Sequence, residues 1–85
     1  METNELLRES IFDIIRTQIK SNNPPVTKLT FERLKALGYS EKEVLQLIGQ
    51  CVSMEIYNVL KYKIPFNAVR YERNLNNLPD QPTEE

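Results

Sequence analysis

The chain has 85 residues, 40% hydrophobic and 27% charged, with 11 Lys and Arg against 12 Asp and Glu, which describes one small globular domain and leaves no room for a second. A net charge of -1 is far too little basic excess to infer nucleic-acid binding from composition, where a clustered excess is expected. The absence of histidine removes the commonest general base, the commonest metal ligand and the Ser-His and Cys-His nucleophile pairs.

The first helix is expected to begin after Thr3 or Asn4, either of which can cap it, and to run to Lys20 or Ser21. Leu7, Ile11, Ile14, Ile15 and Gln18 share one side of it, so Gln18 is a polar residue on an apolar face. The run Ser21-Asn22-Asn23-Pro24-Pro25 ends the helix, because proline disfavours helical geometry in the residue before it. A second helix is expected over Val26 to Leu37, with Phe31, Leu34 and Leu37 facing inward and Gly38 at the left-handed stop.

Ser40 followed by Glu43 reads as a capping box, which starts a third helix at Glu41. Acids at its start and Lys61 and Lys63 at its end suit the helix dipole, and the segment reads as one helix to Tyr62. Val44, Ile48, Cys51, Val52, Val59 and Tyr62 form its apolar face, with Glu55 among them. An ionised carboxylate is costly there unless paired or hydrogen-bonded. Gln18 is the expected partner, with Arg16, Arg33 or Arg70 available to neutralise the charge. Gly49 costs about 1 kcal/mol relative to alanine in a helix, and close approach by another helix is the expected compensation. Pro65 closes the segment, Asn67 can cap a short final helix with Ala68, Tyr71, Leu75 and Leu78 as its stripe, and residues 79–85, with three acids, are expected to be a disordered tail. The fold class is therefore all-α, a small bundle of three main helices plus a short C-terminal helix within residues 1–78.

Candidate sites are few. Cys51 has apolar neighbours and no base one turn away, the setting of a packed thiol rather than a reactive one. Glu55 with Asp13 or Glu32 has no diagnostic spacing for acid-base work or a hard metal, so no catalytic residue, metal or cofactor is assigned. The joint around Gly38 suggests helix-turn-helix, but the helix that would read DNA opens Glu41-Lys42-Glu43, acidic where phosphate favours bases. Lys61, Lys63, Arg70 and Arg73 form a candidate anion or nucleic-acid patch. The apolar arc of the third helix is broader than one neighbour would cover, and Leu47, Gly49, Ser53, Met54 and Tyr57 are its candidate interface.

The stretches QIKSNNPP, TFERL, GYSEKE, LIG, EIYNVLK, PFNAVRY and LNNLP, from Gln18 to Pro79, resemble an uncharacterised family of short bacterial all-helical proteins. The resemblance implies a bacterial helical protein and supplies no activity. One cysteine allows no internal disulfide, the opening METNELLRES is acidic where a signal peptide is basic, and no stretch approaches the roughly 20 apolar residues of a membrane span, so a cytoplasmic setting is expected. The expected function is a non-catalytic protein-protein interaction module that binds a protein partner or a second copy of itself; nucleic-acid association through the basic patch is the alternative.

Overall fold

Four helices account for the fold: α1 (Glu2–Ser21), α2 (Pro25–Ala36), α3 (Glu41–Tyr62) and α4 (Ala68–Asn77). The computed structural model describes residues 2–84, with side chains from Glu5 onward. Among them there is no strand. The helices α2 and α3 pack on one another and each touches both α1 and α4, so the outer helices flank a central pair. No helix of the described residues is long and apolar enough to cross a membrane.

Each boundary has a local cause. Asn22 takes a left-handed conformation (φ 54) after α1, and its N–H and that of Asn23 close onto the carbonyls of Ile19 and Gln18. Gly38 (φ 107) repeats the device after α2, with its N–H on Lys35 and that of Tyr39 on Leu34. Both are Schellman closures, in which a left-handed residue lets two N–H groups satisfy orphan carbonyls of the last turn. Pro25 occupies the first turn of α2, where its missing N–H leaves nothing unsatisfied. The capping box of α3 is present in full: Glu43 N–H donates to Ser40 Oγ at 3.1 Å and Ser40 N–H to Glu43 Oε1 at 2.8 Å. The helix itself spans the expected residues. For α1 the helix includes positions 3 and 4, and the caps expected of Thr3 and Asn4 lie outside the described side chains.

The core is built from Phe12, Ile15, Leu34, Val44, Leu45, Ile48, Cys51, Val52, Tyr71, Leu75 and Leu78. Two expected faces are rotated. On α1 the buried arc runs through Phe12 and Ile15, with Ile11 and Ile19 half-buried, while Leu7 and Ile14 face solvent at 58% and 39% exposure. Both arcs are apolar on a helical wheel and share Ile11 and Ile15; covering by α2 and α3 selects the one with the aromatic ring. On α3 the last turn leaves Tyr62 outside and buries Asn58. Leu37 is also exposed, because α2 stops one residue earlier, at Ala36.

The two glycines differ in role. A methyl on Gly38 would meet nothing within 4 Å, so only its backbone angle requires glycine. At Gly49 a methyl would lie 3.4 Å from Ile11 Cγ2 and 3.9 Å from Phe12, in ordinary contact, so the α1–α3 approach does not demand glycine as the sequence suggests. Gly38→Ala should therefore cost about 1–2 kcal/mol through backbone strain, whereas Gly49→Ala should gain up to about 1 kcal/mol of helix propensity. Thermal denaturation of the two variants checks these opposite signs.

Candidate functional site

Glu55 has no solvent exposure and sits mid-way along α3, facing the start of α4. Its carboxylate is gripped by Arg70, with Nε donating to Oε2 at 2.6 Å and Nη2 to Oε1 at 2.9 Å. Oε1 also accepts the Asn67 N–H at 3.0 Å. Asn67 is the N-cap of α4, and its side-chain oxygen accepts the Arg70 N–H at 2.9 Å. Cap, cation and anion form one closed loop of hydrogen bonds. Burial alone pushes the Glu55 carboxyl up, but the Arg70 hydrogen bonds, the Asn67 N–H and the charges of Arg70 and Arg73 outweigh it, and the group titrates below the ordinary carboxylate range.

The expected Gln18–Glu55 pair is therefore not formed. Gln18 Oε1 instead accepts the hydroxyls of Thr27 at 2.6 Å and Tyr71 at 2.9 Å. Glu55 is taken by the one arginine of the three candidates that lies on α4. The physical reason is geometric: α4 wedges against the edge of α3 that carries Glu55, so a guanidinium 15 residues away reaches it in a two-pronged grip that a neutral amide cannot match. Burial pushes the Tyr71 phenol up to about 12.

The basic patch dissolves for the same reason. Arg70 is buried in the ion pair, and Arg73 Nη2 is tied to the carbonyl and hydroxyl of Thr83 at 3.0 and 3.1 Å. Lys61 Nζ lies 2.7 Å from the Tyr57 hydroxyl and over the rings of Tyr57 and Tyr62. Lys63 is the left-handed C-cap of α3 (φ 59), its N–H on the Val59 carbonyl. Arg70 and Arg73 thus share the main chain of residues 83 and 84, while Lys61 stays with the tyrosines of α3 and Lys63 contributes its backbone N–H.

The five candidate interface residues separate as well. Leu47 packs against the core, and the Met54 sulfur accepts from Asn74 Nδ2 at 3.7 Å, so both belong to the α4 side of the helix. Gly49 and Ser53 lie on the opposite edge, beside α1. There an open groove of about 560 Å³ is lined by Leu7, Ile11, Phe12, Gln46, Gly49, Gln50 and Ser53, with Arg8 as its one charged residue. Tyr57 is half-exposed and held by Lys61.

Several polar residues escape the sequence reading. Arg33 caps the C-terminal end of α4, donating from Nη1 to the Leu78 carbonyl at 2.9 Å and from Nη2 to that of Leu75 at 3.0 Å. Asn74 is 1% exposed and exchanges two bonds with the main chain of Thr83: Nδ2 to the carbonyl and Oδ1 from the N–H, each 3.0 Å. It falls on the α4 stripe between Tyr71 and Leu75 and Leu78, so the helical spacing that singles out Glu55 also marks Asn74. These bonds tie residues 83 and 84 to α4, within the segment that composition leads one to expect disordered. Residues 79–84 return along α4, and the sequence signal of prolines and acids does not register a partner that binds main chain; Glu85 lies outside the described residues.

No family model, no curated protein and no solved structure matches the chain, so the family resemblance rests on the sequence stretches alone.

Removing one member of the ion pair leaves the other buried and uncompensated, and Glu55→Ala or Arg70→Ala should each cost about 3–5 kcal/mol. The double variant Glu55→Leu/Arg70→Met should recover most of it, which chemical denaturation measures. Because the folded carboxyl titrates below its unfolded value near 4.5, its contribution is complete above that pH and is lost as pH falls through the folded value. Acid denaturation of wild type against Glu55→Gln should show this added loss below pH 4.5 in wild type only. Burial, with the Glu55 charge, pushes the Cys51 thiol up from 9.0 to about 12. A disulfide reagent at pH about 8 should thus label Cys51 only at the rate of unfolding.

Proposed function

We propose that the chain is a small non-catalytic protein-interaction module that binds a second copy of itself through the groove between α1 and α3. The observation that carries this reading is the character of that groove. Its floor is Gly49 and Phe12, its walls are Leu7, Arg8 and Ile11 on one side and Gln46, Gln50 and Ser53 on the other, and a ridge of exposed Leu7 and Ile14, two turns apart on one face of α1, runs beside it. A ridge next to a furrow on one surface is self-complementary under a two-fold axis, where each copy inserts its ridge into the other's furrow. A lining whose one charged residue is Arg8 keeps the desolvation cost of closing it low.

Against catalysis stands the bonding of Glu55, the one buried acid among the described residues, whose oxygens already serve a guanidinium and a backbone N–H. A buried, high-pKa thiol at Cys51 points the same way and suits a reducing, cytoplasmic setting. Nucleic-acid association draws little support once Arg70 and Arg73 are engaged within the fold.

Sedimentation equilibrium at about 100 μM should give about twice the 10.0 kDa chain mass. Ser53→Arg, which places a charge on the exposed groove wall and leaves the core untouched, should return the mass to a single chain. A wild-type monomer at millimolar concentration removes the reading.

A further inference from the structure

The tail is held in an unusual way for a chain end. Asn74, one of the most deeply buried polar side chains, pairs its amide with both the N–H and the C=O of Thr83, as a neighbouring strand would, and its Nδ2 also reaches the Met54 sulfur. Arg70 Nη1 reaches the Glu84 carbonyl at 3.3 Å, and Arg73 Nη2 reaches the Thr83 carbonyl. Every one of these contacts with the tail is to main chain, which any extended peptide offers equally. The exception is the Thr83 hydroxyl, 3.1 Å from Arg73 Nη2. Beside it Arg73 Nε is buried and has no hydrogen-bond partner among the described residues.

That idle donor shows that the tail does not use all the site offers. Nε and Nη2 of an arginine form one edge of a planar fork that matches two oxygens of an anion. A threonine hydroxyl supplies one oxygen to that edge.

We propose that Arg70, Arg73 and Asn74 form a binding site for an extended peptide carrying an anionic side chain at the place of Thr83, and that residues 79–84 fill it in cis as a weaker occupant. The ligand is thus an acidic peptide whose main chain pairs with Asn74 and whose carboxylate takes Nε and Nη2 of Arg73 together. The site lies on the α4 edge of α3, away from the α1–α3 groove, and does not depend on self-association. A tethered occupant competes at an effective concentration in the millimolar range, so the tail sets a threshold that a ligand must exceed.

The test uses full-length, isotope-labelled protein and two synthetic peptides, DQPTEE (residues 80–85) and DQPEEE. Thr83→Pro deletes the N–H that Asn74 accepts while touching nothing in the core. In that variant the Gln81 and Glu84 amide signals should move to free-chain positions with those of α1 to α3 unchanged. It should then bind DQPEEE about tenfold more tightly than DQPTEE, with a shift of the Arg73 Nε–H signal, the size expected of one added charge-assisted bond. Wild type should need several-fold more peptide for the same uptake. Arg73→Lys in the Thr83→Pro background, a change that keeps the charge and removes the fork, should abolish the preference between the peptides. The proposal is overturned if Gln81 and Glu84 stay in place in Thr83→Pro, if that variant takes up neither peptide at millimolar concentration, or if it binds both equally.

Discussion

The two-pronged ion pair of Glu55 and Arg70 fixes where and at what angle the last helix begins. The connection from Lys63 to Asn67 has no regular structure of its own, so nothing in the backbone sets the position of α4. The carboxylate does so by holding two points of that helix together, the Asn67 N–H at the cap and the Arg70 guanidinium one turn on. With this start fixed, Tyr71 meets Gln18, the carbonyls of Leu75 and Leu78 meet Arg33, and Asn74 meets the returning tail. Apolar side chains of equal volume could fill the space as favourably, since desolvating two ions offsets much of their attraction. Greasy contact tolerates rotation and sliding, however, and a planar fork on a carboxylate does not.

The molecule therefore has two kinds of interior. Between α1, α2 and the first half of α3 the contacts are apolar, from Phe12 and Ile15 to Leu34, Val44 and Ile48. Toward α4 they become a polar seam of Gln18, Thr27, Glu55, Asn58, Arg70 and Asn74, nearly all with named partners. The first is tolerant of substitution at constant volume. The second is sensitive to loss of any member, because each buried donor or acceptor left alone bears its full desolvation cost.

This division also explains what the sequence reveals. Helix order, the Ser40–Glu43 box, the Asn67 cap and the Gly38 stop are legible because they depend on residues within one turn of each other. The burial of Glu55 is legible from spacing alone. Its partner is not, because Gln18 and Arg70 both satisfy the chemistry and only the tilt of α4 chooses between them. The rotation of α1 has the same origin, since Leu7 and Phe12 are equally apolar and tertiary covering decides. The tail is illegible for a different reason: its contacts engage main chain, and composition carries no record of those.

The central helix α3 separates two surfaces that differ in chemistry. One edge, through Gly49 and Ser53, faces the largely apolar groove beside α1, whose one charged residue is Arg8; the other, through Met54 and Asn58, faces the polar seam and the tail contacts. Apolar closure on the first edge responds weakly to salt, whereas arginine contacts on the second are screened as ionic strength rises. Met54 sits at the boundary, its carbonyl bonded by Asn58 and its sulfur by Asn74. The groove is built on α1 and the clamp on α4, two helices joined directly by the Gln18–Tyr71 hydrogen bond and otherwise through α3, so a shift of α3 reaches both. The capping box at one end and the Glu55–Arg70 grip near the other hold α3 against that shift.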